Sequence, residues 1–301
     1  MASLITAVRT WGEMIKFSHS VFALPFALMA TFLAGRNLPG RELPRPGQFV
    51  LIVGCMVLAR SVAMTFNRIA DRAIDARNPR TQNRPLPTGR LSLRAALVFF
   101  GGCAGGFVVC CGGFWGFYDN PWPAIAAVPV LAYLCGYSYS KRFTKWSHFY
   151  LGSAIALSPI AAWVAIHPAS VGLPALVLTA AVTFWIAGFD IIYACQDIDI
   201  DRRDGLLSLP ARIGPGRSLW IARGSHAATV GLLTWLAWLA PMGTLYLIGV
   251  AGVALLLLIE NTLVRADDFS RVNLAFFTIN GVVSIGLGVL AVADVLLMQR
   301  G

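Results

Sequence analysis

The stretch LPALVLTAAVTFWIAGFDIIYAC at 173–195, followed at once by QDIDIDRRD at 196–204, decides the architecture of this chain. The first part is apolar and long enough to cross a bilayer as a helix, which takes roughly 17–25 residues. The second part places several carboxylates where that helix meets a polar loop. Apolar runs of similar length recur along the chain. They lie at 18–35, 48–66, 91–116, 121–140, 149–167, 173–195, 218–240, 243–263 and 272–298.

The composition supports a membrane protein. Of the 301 residues, 57% are hydrophobic and only 13% are charged, which is more apolar surface than one soluble core can bury. We therefore predict an all-α integral membrane protein with nine transmembrane helices, forming a single domain over residues 1–301. The polar N-terminal segment lacks a short apolar region with a clear cleavage site, so the first run is expected to be a retained span.

The distribution of positive charge predicts the orientation. With the N-terminus in the cytoplasm, 18 of the 24 Lys and Arg residues fall in loops on the cytoplasmic side and four on the opposite side, as the positive-inside rule requires. We expect a multi-pass protein of the cell (inner) membrane, with the loops after both acidic stretches in the cytoplasm and the C-terminus on the opposite side. The net charge of +10 then reflects topology and an anion site, and no nucleic-acid binding is expected.

Two acidic motifs share one spacing. In NRIADRAID at 67–75 and in DIDIDRRD at 197–204, the polar residues recur every four positions and so lie on one stripe of a helix. Carboxylates gathered there would repel one another, unless Mg²⁺ holding a diphosphate neutralised them. Asp199 falls on another face and is not expected to be a ligand. The predicted metal ligands are Asn67, Asp71, Asp75, Asp197 and Asp201. The alternative is that both motifs are ordinary polar helix ends.

Two basic loops accompany these motifs. The first follows Asp75 and interleaves arginines with proline and glycine, and guanidinium groups take phosphate oxygens bidentately. Its arginines could instead serve only to fix topology. The second, YSYSKRFTK at 137–145, offers further cations beside tyrosines. The candidate contacts to a diphosphate are Arg72, Arg80, Arg84, Tyr139, Lys141 and Arg142.

The cysteines and histidines indicate no further site. The six cysteines lie in or beside apolar runs without C-x-x-C spacing, so they are expected to be small buried side chains, with neither disulfide nor zinc. The histidines lie near or within spans, where polar packing is expected rather than ligation. They are His19, His148, His167 and His226.

Two rival functions fit parts of the sequence. The stretch DRRDG at 201–205 followed by Ala211 and Arg212 is similar to the motif of CDP-alcohol phosphotransferases, but five residues separate Gly205 from Ala211 where that motif has two. A transporter would also carry intramembrane charge, and the aspartate pairs recur at an offset of 126 residues, as in an internal repeat. The motifs nevertheless lie at one edge of the membrane, whereas transporter sites lie near its midplane.

Four motifs together resemble one family. They are NxxxDxxxD from Asn67 to Asp75, NRPLPTG at 83–89, YSKR at 139–142 and DIIYACQDIDID at 190–201. This combination resembles the UbiA superfamily of intramembrane aromatic prenyltransferases, and within it the 4-hydroxybenzoate polyprenyltransferases. The segments 17–27 and 195–214 are also similar to a branch in which some members prenylate a dihydroxynaphthoate in the futalosine route to menaquinone. Both acceptors stay open.

The resemblance implies a UbiA-type helical bundle with cytoplasmic capping loops. It implies Mg²⁺-dependent transfer of a polyprenyl group from polyprenyl diphosphate to an aromatic carboxylate, in respiratory quinone biosynthesis. Mg²⁺ would be held by the two aspartate motifs, while Lys141 and Arg142 would stabilise the departing diphosphate. The catalytic residues would be Asp71, Asp75, Asp197, Asp201, Lys141 and Arg142.

Two ionisable residues lie deeper in the predicted spans. Arg60 precedes Asn67 by seven residues, and Asp190 precedes Asp197 by seven, which is two helical turns on the same stripe. Charge at that depth is costly and marks a functional site by default. We expect both residues to contact substrate, with Arg60 either binding the acceptor carboxylate or pairing with Asp190.

Overall fold

The computed structural model describes residues 2–15, 22–38 and 43–298, and these are almost entirely helical. The helices, numbered along the chain, are α1 (Ala2–Ile15), α2 (Leu24–Gly35), α3 (Pro46–Ala70), α4 (Arg72–Arg77), α5 (Leu93–Tyr118), α6 (Trp122–Gly136), α7 (Ser147–Ile166), α8 (Leu173–Ala194), α9 (Ile198–Arg203), α10 (Leu209–Ile213), α11 (Pro215–Leu239), α12 (Thr244–Leu263), α13 (Val272–Leu274) and α14 (Asn280–Met298). Within these described ranges, β pairing is limited to two isolated bridges. The predicted all-α class is therefore confirmed.

The predicted count of nine spans is not confirmed. Among the described residues, six helical segments are long and apolar enough to cross a membrane. They are Pro46–Ala70, Leu93–Tyr118, Ser147–Ile166, Leu173–Arg203, Thr244–Leu263 and Val272–Met298. Three predicted spans fall short: α2 has 12 residues and α6 has 15, while α11 is less apolar because it contains Arg217, Arg223 and several other polar residues. Residues 18–21 of the first predicted run, including His19, lie outside the described residues.

The chain divides into two compact units. One consists of Met1–Ser20 and Val50–Tyr139, and the other of Val21–Phe49 and Ser140–Gly301. The first contains α1, most of α3, and α4 to α6, and the second contains α2 and α7 to α14. The single domain predicted from the sequence stays a prediction.

In the first unit, α1 holds the loop that follows α4. The buried side chain of Met14 packs with Leu86 and Leu91 from that loop, and Arg90 pairs with Glu13 at 2.9 Å. Hydropathy did not reveal this helix as a structural element, because α1 is short and carries charge. Its packing fixes the arginine-rich loop that follows the first acidic motif.

In the second unit, α8 packs against both α7 and α11. Glycines allow both contacts, since a side chain at Gly152 of α7 would meet the backbone carbonyl of Thr183, and one at Gly188 would meet the ring of His226. Small residues let membrane helices approach closely enough for dispersion forces to hold them together. This close packing fixes the end of α8, from which the second acidic motif extends.

A pair of glycine substitutions tests this packing. Gly152→Ala should destabilise the protein by about 1–3 kcal/mol, because the added methyl group meets backbone that cannot move aside, and should lower its thermal unfolding temperature in detergent. Gly101→Ala in α5 is the matched control, since no heavy atom lies within 4 Å of the position that its methyl group would take. It should not lower the unfolding temperature, because alanine has a higher helix propensity than glycine. Equal shifts for the two variants would contradict close α7–α8 packing.

Candidate active site

The first acidic motif lies on one continuous stripe although α3 and α4 are formally separate. The amide of Asp71 donates to the carbonyl of Asn67 at 2.9 Å, and the amide of Asp75 donates to the carbonyl of Asp71 at 2.8 Å, so the i to i+4 pattern continues through the break. The Asn67 side chain donates through Nδ2 to Oδ2 of Asp71 at 2.8 Å. The predicted alignment of these polar residues is therefore present.

Asp75 has one carboxylate oxygen that could bind a metal ion. Its Oδ1 accepts a hydrogen bond from Nη1 of Arg84 at 2.7 Å, while its Oδ2 is buried and has no hydrogen-bond partner among the described residues. A buried carboxylate oxygen without a partner costs free energy. With the oxygens of Asn67 and Asp71 on the same stripe, this donor set suits Mg²⁺, which prefers hard oxygen ligands.

Positive charge surrounds the first motif. Arg68 is buried and donates to Oδ1 of Asn67 at 3.3 Å, and Arg84 pairs with Asp75. The other two predicted phosphate-binding arginines, Arg72 and Arg80, lie exposed on the same segment. The Thr81 hydroxyl donates to the Asp75 carbonyl at 3.0 Å, which ties this arginine-rich loop to α4.

The second motif begins where α8 gives way to a 3-10 turn at Cys195–Asp197 and then to α9. Asp197 and Asp201 are buried, whereas Asp199 is exposed. This difference agrees with the expectation that Asp199 faces away from its two neighbours.

The second basic loop is tied directly to this motif. Nζ of Lys141, whose side chain is 30% exposed, lies 3.5 Å from Oδ2 of Asp201. The Leu207 amide donates to the Lys141 carbonyl at 2.6 Å, and the Leu206 amide donates to the Asp201 carbonyl at 2.7 Å. Arg142 follows on the exposed side of the same 3-10 turn.

The carboxylates keep Lys141 charged. Burial alone would lower the pKa of its ammonium group, but Asp201, Asp190 and Asp197 together outweigh burial and raise that pKa above its ordinary value. Lys141 is therefore a fixed positive charge at neutral pH, available to a phosphate oxygen.

His148 is the functional candidate that the sequence did not single out. Its ring is fully buried, with Nδ1 2.7 Å from Oδ2 of Asp190, and the Leu209 amide donates to Nε2 at 3.3 Å. Because an amide donor requires a lone pair on Nε2, the proton lies on Nδ1 and is donated to Asp190. His148 thus orients Asp190 and links it to the loop after the second motif. Its place just after the basic loop was the only sequence signal.

The two remaining substrate-binding candidates lie in the first unit. Arg60 lies in α3, and its Nε is buried with no hydrogen-bond partner in the described part of the chain. The ring of Tyr139 meets Phe66 edge-on, with 5.9 Å between ring centroids. Arg60 therefore retains hydrogen-bonding capacity for an anionic group.

Neither motif forms a ready-made metal cage. Across the described ranges, no three Asp, Glu, His or Cys side chains are grouped so that they could hold a metal ion. Mg²⁺ is commonly bound by one or two carboxylates together with substrate phosphates.

Known proteins share both the sequence pattern and the fold. Residues 23–282 match the UbiA prenyltransferase family. A 4-hydroxybenzoate octaprenyltransferase of Nitrosomonas eutropha is 30% identical over 254 residues, covering 83% of this chain and 85% of the relative. One of Nitrosococcus oceani is 28% identical over 269 residues, covering 88% and 91%.

Solved structures extend the comparison to the fold. A UbiA homolog from Aeropyrum pernix K1, solved in its apo form, is 27% identical with a TM-score of 0.77, covering 93% of this chain and 98% of that one. A homolog from Archaeoglobus fulgidus, solved with GPP and Mg²⁺ bound, shares the fold at 19% identity and a TM-score of 0.68, covering 94% and 99%. With its apolar helices, the chain is a multi-pass membrane protein, and it belongs to the UbiA prenyltransferase family of enzymes.

Proposed function

We propose that this enzyme transfers a polyprenyl group from polyprenyl diphosphate to 4-hydroxybenzoate, with Mg²⁺, in respiratory quinone biosynthesis, and releases diphosphate. The observation that carries the proposal is a buried aspartate facing a cation in each motif, Asp75 with Arg84 and Asp201 with Lys141. Alternating negative and positive groups suit a metal-bound polyanion. The names of the curated relatives support the acceptor.

The two motifs have one chemical task in this proposal. Mg²⁺ would be held by Asn67, Asp71, Asp75, Asp197 and Asp201, and would neutralise charge on the diphosphate. Lys141 and Arg142 bind the oxygens on which negative charge grows as the carbon–oxygen bond breaks and its electron pair goes to diphosphate. The acceptor ring carbon ortho to the hydroxyl group then forms the new carbon–carbon bond and loses its proton.

The deeper residues bind the acceptor in this proposal. Arg60 holds the carboxylate, since its guanidinium lies two helical turns beyond Asn67 and its Nε has no described partner. Asp190 faces the acceptor from α8, held in orientation by His148. The site and the N-terminus face the cytoplasm, as the charge distribution predicts; with nine spans, the C-terminus would lie on the opposite side of the inner membrane.

One assay separates this proposal from its alternatives. Purified protein in liposomes is given Mg²⁺, polyprenyl diphosphates of several lengths, and either 4-hydroxybenzoate or a dihydroxynaphthoate, and products are identified by mass. Prenylated 4-hydroxybenzoate is expected. A prenylated naphthoate alone would overturn the acceptor assignment. Turnover of a CDP-alcohol, or solute flux without prenyl transfer, would overturn the reaction type.

The proposed metal site predicts that Asp→Asn substitutions will differ sharply in their effect on turnover. Asp71→Asn and Asp197→Asn should each lower turnover by roughly a thousandfold, since each removes a ligand charge worth several kcal/mol in the transition state. Asp199→Asn is the matched control in the second motif and should stay near wild type. Turnover of Asp71→Asn or Asp197→Asn above about a tenth of wild type would remove the ligand role.

The basic loop predicts a kinetic signature. Lys141→Ala and Arg142→Ala should each lower kcat more than they raise KM for the prenyl diphosphate, because both cations act on charge that develops after binding. Lys145→Ala is the control, since its Nζ lies 5.5 Å from the centroid of the Trp146 ring and it has no assigned catalytic role. A raised KM with unchanged kcat for Lys141→Ala would show uniform substrate binding instead.

Acceptor binding depends on Arg60. Arg60→Gln should weaken apparent affinity for the carboxylated acceptor by roughly tenfold or more, the usual effect of losing a charged hydrogen bond, while prenyl diphosphate binding is unchanged. If the variant misfolds and Asp190→Asn restores folding, then Arg60 served as a structural ion-pair partner and its assignment to the acceptor is wrong.

A further inference from the structure

A cavity of about 510 Å³ opens between α11 and α12, within the second unit. The two helices run antiparallel there, and Nδ2 of Asn261 lies 2.7 Å from Nδ1 of His226, which sets their register. The cavity contains none of the residues assigned to prenyl transfer. Its volume falls within the roughly 300–1,000 Å³ typical of ligand pockets.

One end of the cavity is cationic. Arg223 and Arg265 both line it, and its described lining residues include no carboxylate. The guanidinium of Arg223 lies over the ring of Trp220, 4.7 Å from its centroid, which holds it in place. Two carboxylates, Asp267 and Asp268, follow Arg265 in the adjoining loop but do not line the cavity. Asp268 accepts the Ser270 amide at 2.9 Å and interacts with both Arg265 and Arg271. Two guanidinium groups at one mouth favour a phosphate.

The other end is apolar. Val230 follows Arg223 by seven residues on α11, or about 10 Å, and Ala254 precedes the last residue of α12, Leu263, by nine residues, or about 13 Å, at the helical rise of 1.5 Å per residue. Leu257 and Leu258 complete this end. A ligand that satisfies the whole cavity therefore carries an anionic head and an apolar chain.

An exposed tryptophan lies beside the cationic end. Trp220 of α11 is 69% exposed, and Arg223 stacks on its ring. Because tryptophan collects at the membrane interface, this pair is suited to the level of lipid phosphates.

We infer that the cavity between α11 and α12 binds an anionic phospholipid of the surrounding bilayer. Its phosphate lies against Arg223 and Arg265, and an acyl chain runs along Val230 and Ala254 towards the membrane centre. The exposed side chain of Leu258 on the lining helix faces the space that such a chain would reach. This lipid site is separate from the proposed active site, so the inference does not depend on which acceptor the enzyme uses.

Native mass spectrometry of the detergent-solubilised protein tests the inference. Phosphatidylglycerol should stay bound to wild type, and Arg223→Gln with Arg265→Gln should weaken its binding by roughly tenfold or more. Arg217→Gln is the matched control on the same helix, outside the cavity, and should bind like wild type. Equal loss in the control would overturn the site, because the effect would then follow net charge alone.

A second variant tests the apolar end of the cavity. It also keeps the inference testable if the double arginine variant fails to fold. Ala254→Phe keeps both arginines but narrows the cavity, and it should also lose phosphatidylglycerol while retaining the thermal unfolding temperature of delipidated wild type. Phosphatidylcholine should bind more weakly than phosphatidylglycerol, and inorganic phosphate should not displace the lipid. Equal binding of the two lipids, displacement by phosphate, or full binding by Ala254→Phe would each overturn the inference.

Discussion

The charge balance at the two aspartate motifs is the constraint on which the rest of this structure depends. Buried carboxylates at the end of apolar helices are stable only beside cations or hydrogen-bond donors. Arg84 supplies one cation to Asp75, and Lys141 supplies another to Asp201. The buried Oδ2 of Asp75 has no hydrogen-bond partner among the described residues and can accept a further donor or a metal ion. In the proposed function, Mg²⁺ brought with the diphosphate would take this position.

In each unit, helix packing holds the charged residues of one motif in place. In the first, α1 packs under the arginine-rich loop through Met14 and pairs with it through Glu13. In the second, close packing around α8 fixes the start of the acidic motif, while His148 joins Asp190 to the amide of Leu209. The charged side chains therefore project from backbone that is held by packing, which limits the reorganisation needed when charge develops during a reaction.

The sequence predicted the helical class and the alignment of Asn67 and Asp71 on one face of a helix, because both follow from local periodicity. The predicted count of nine spans is not confirmed, and hydropathy could not show that α6 ends after 15 residues. His148 and the α1 contacts were also missed. Each depends on residues far apart in sequence, such as His148 and Asp190, whose approach is decided by helix packing and leaves no short motif.

The most direct test measures binding before any chemistry occurs. A prenyl thiolodiphosphate, which cannot readily ionise, is titrated into the purified protein with Mg²⁺ and again with EDTA. If the aspartate motifs need a cation to accept the diphosphate, then tight binding should appear with Mg²⁺ and be lost in EDTA. Equal affinity in both conditions would show that Arg84, Lys141 and their neighbours bind the diphosphate without metal, and would contradict the account.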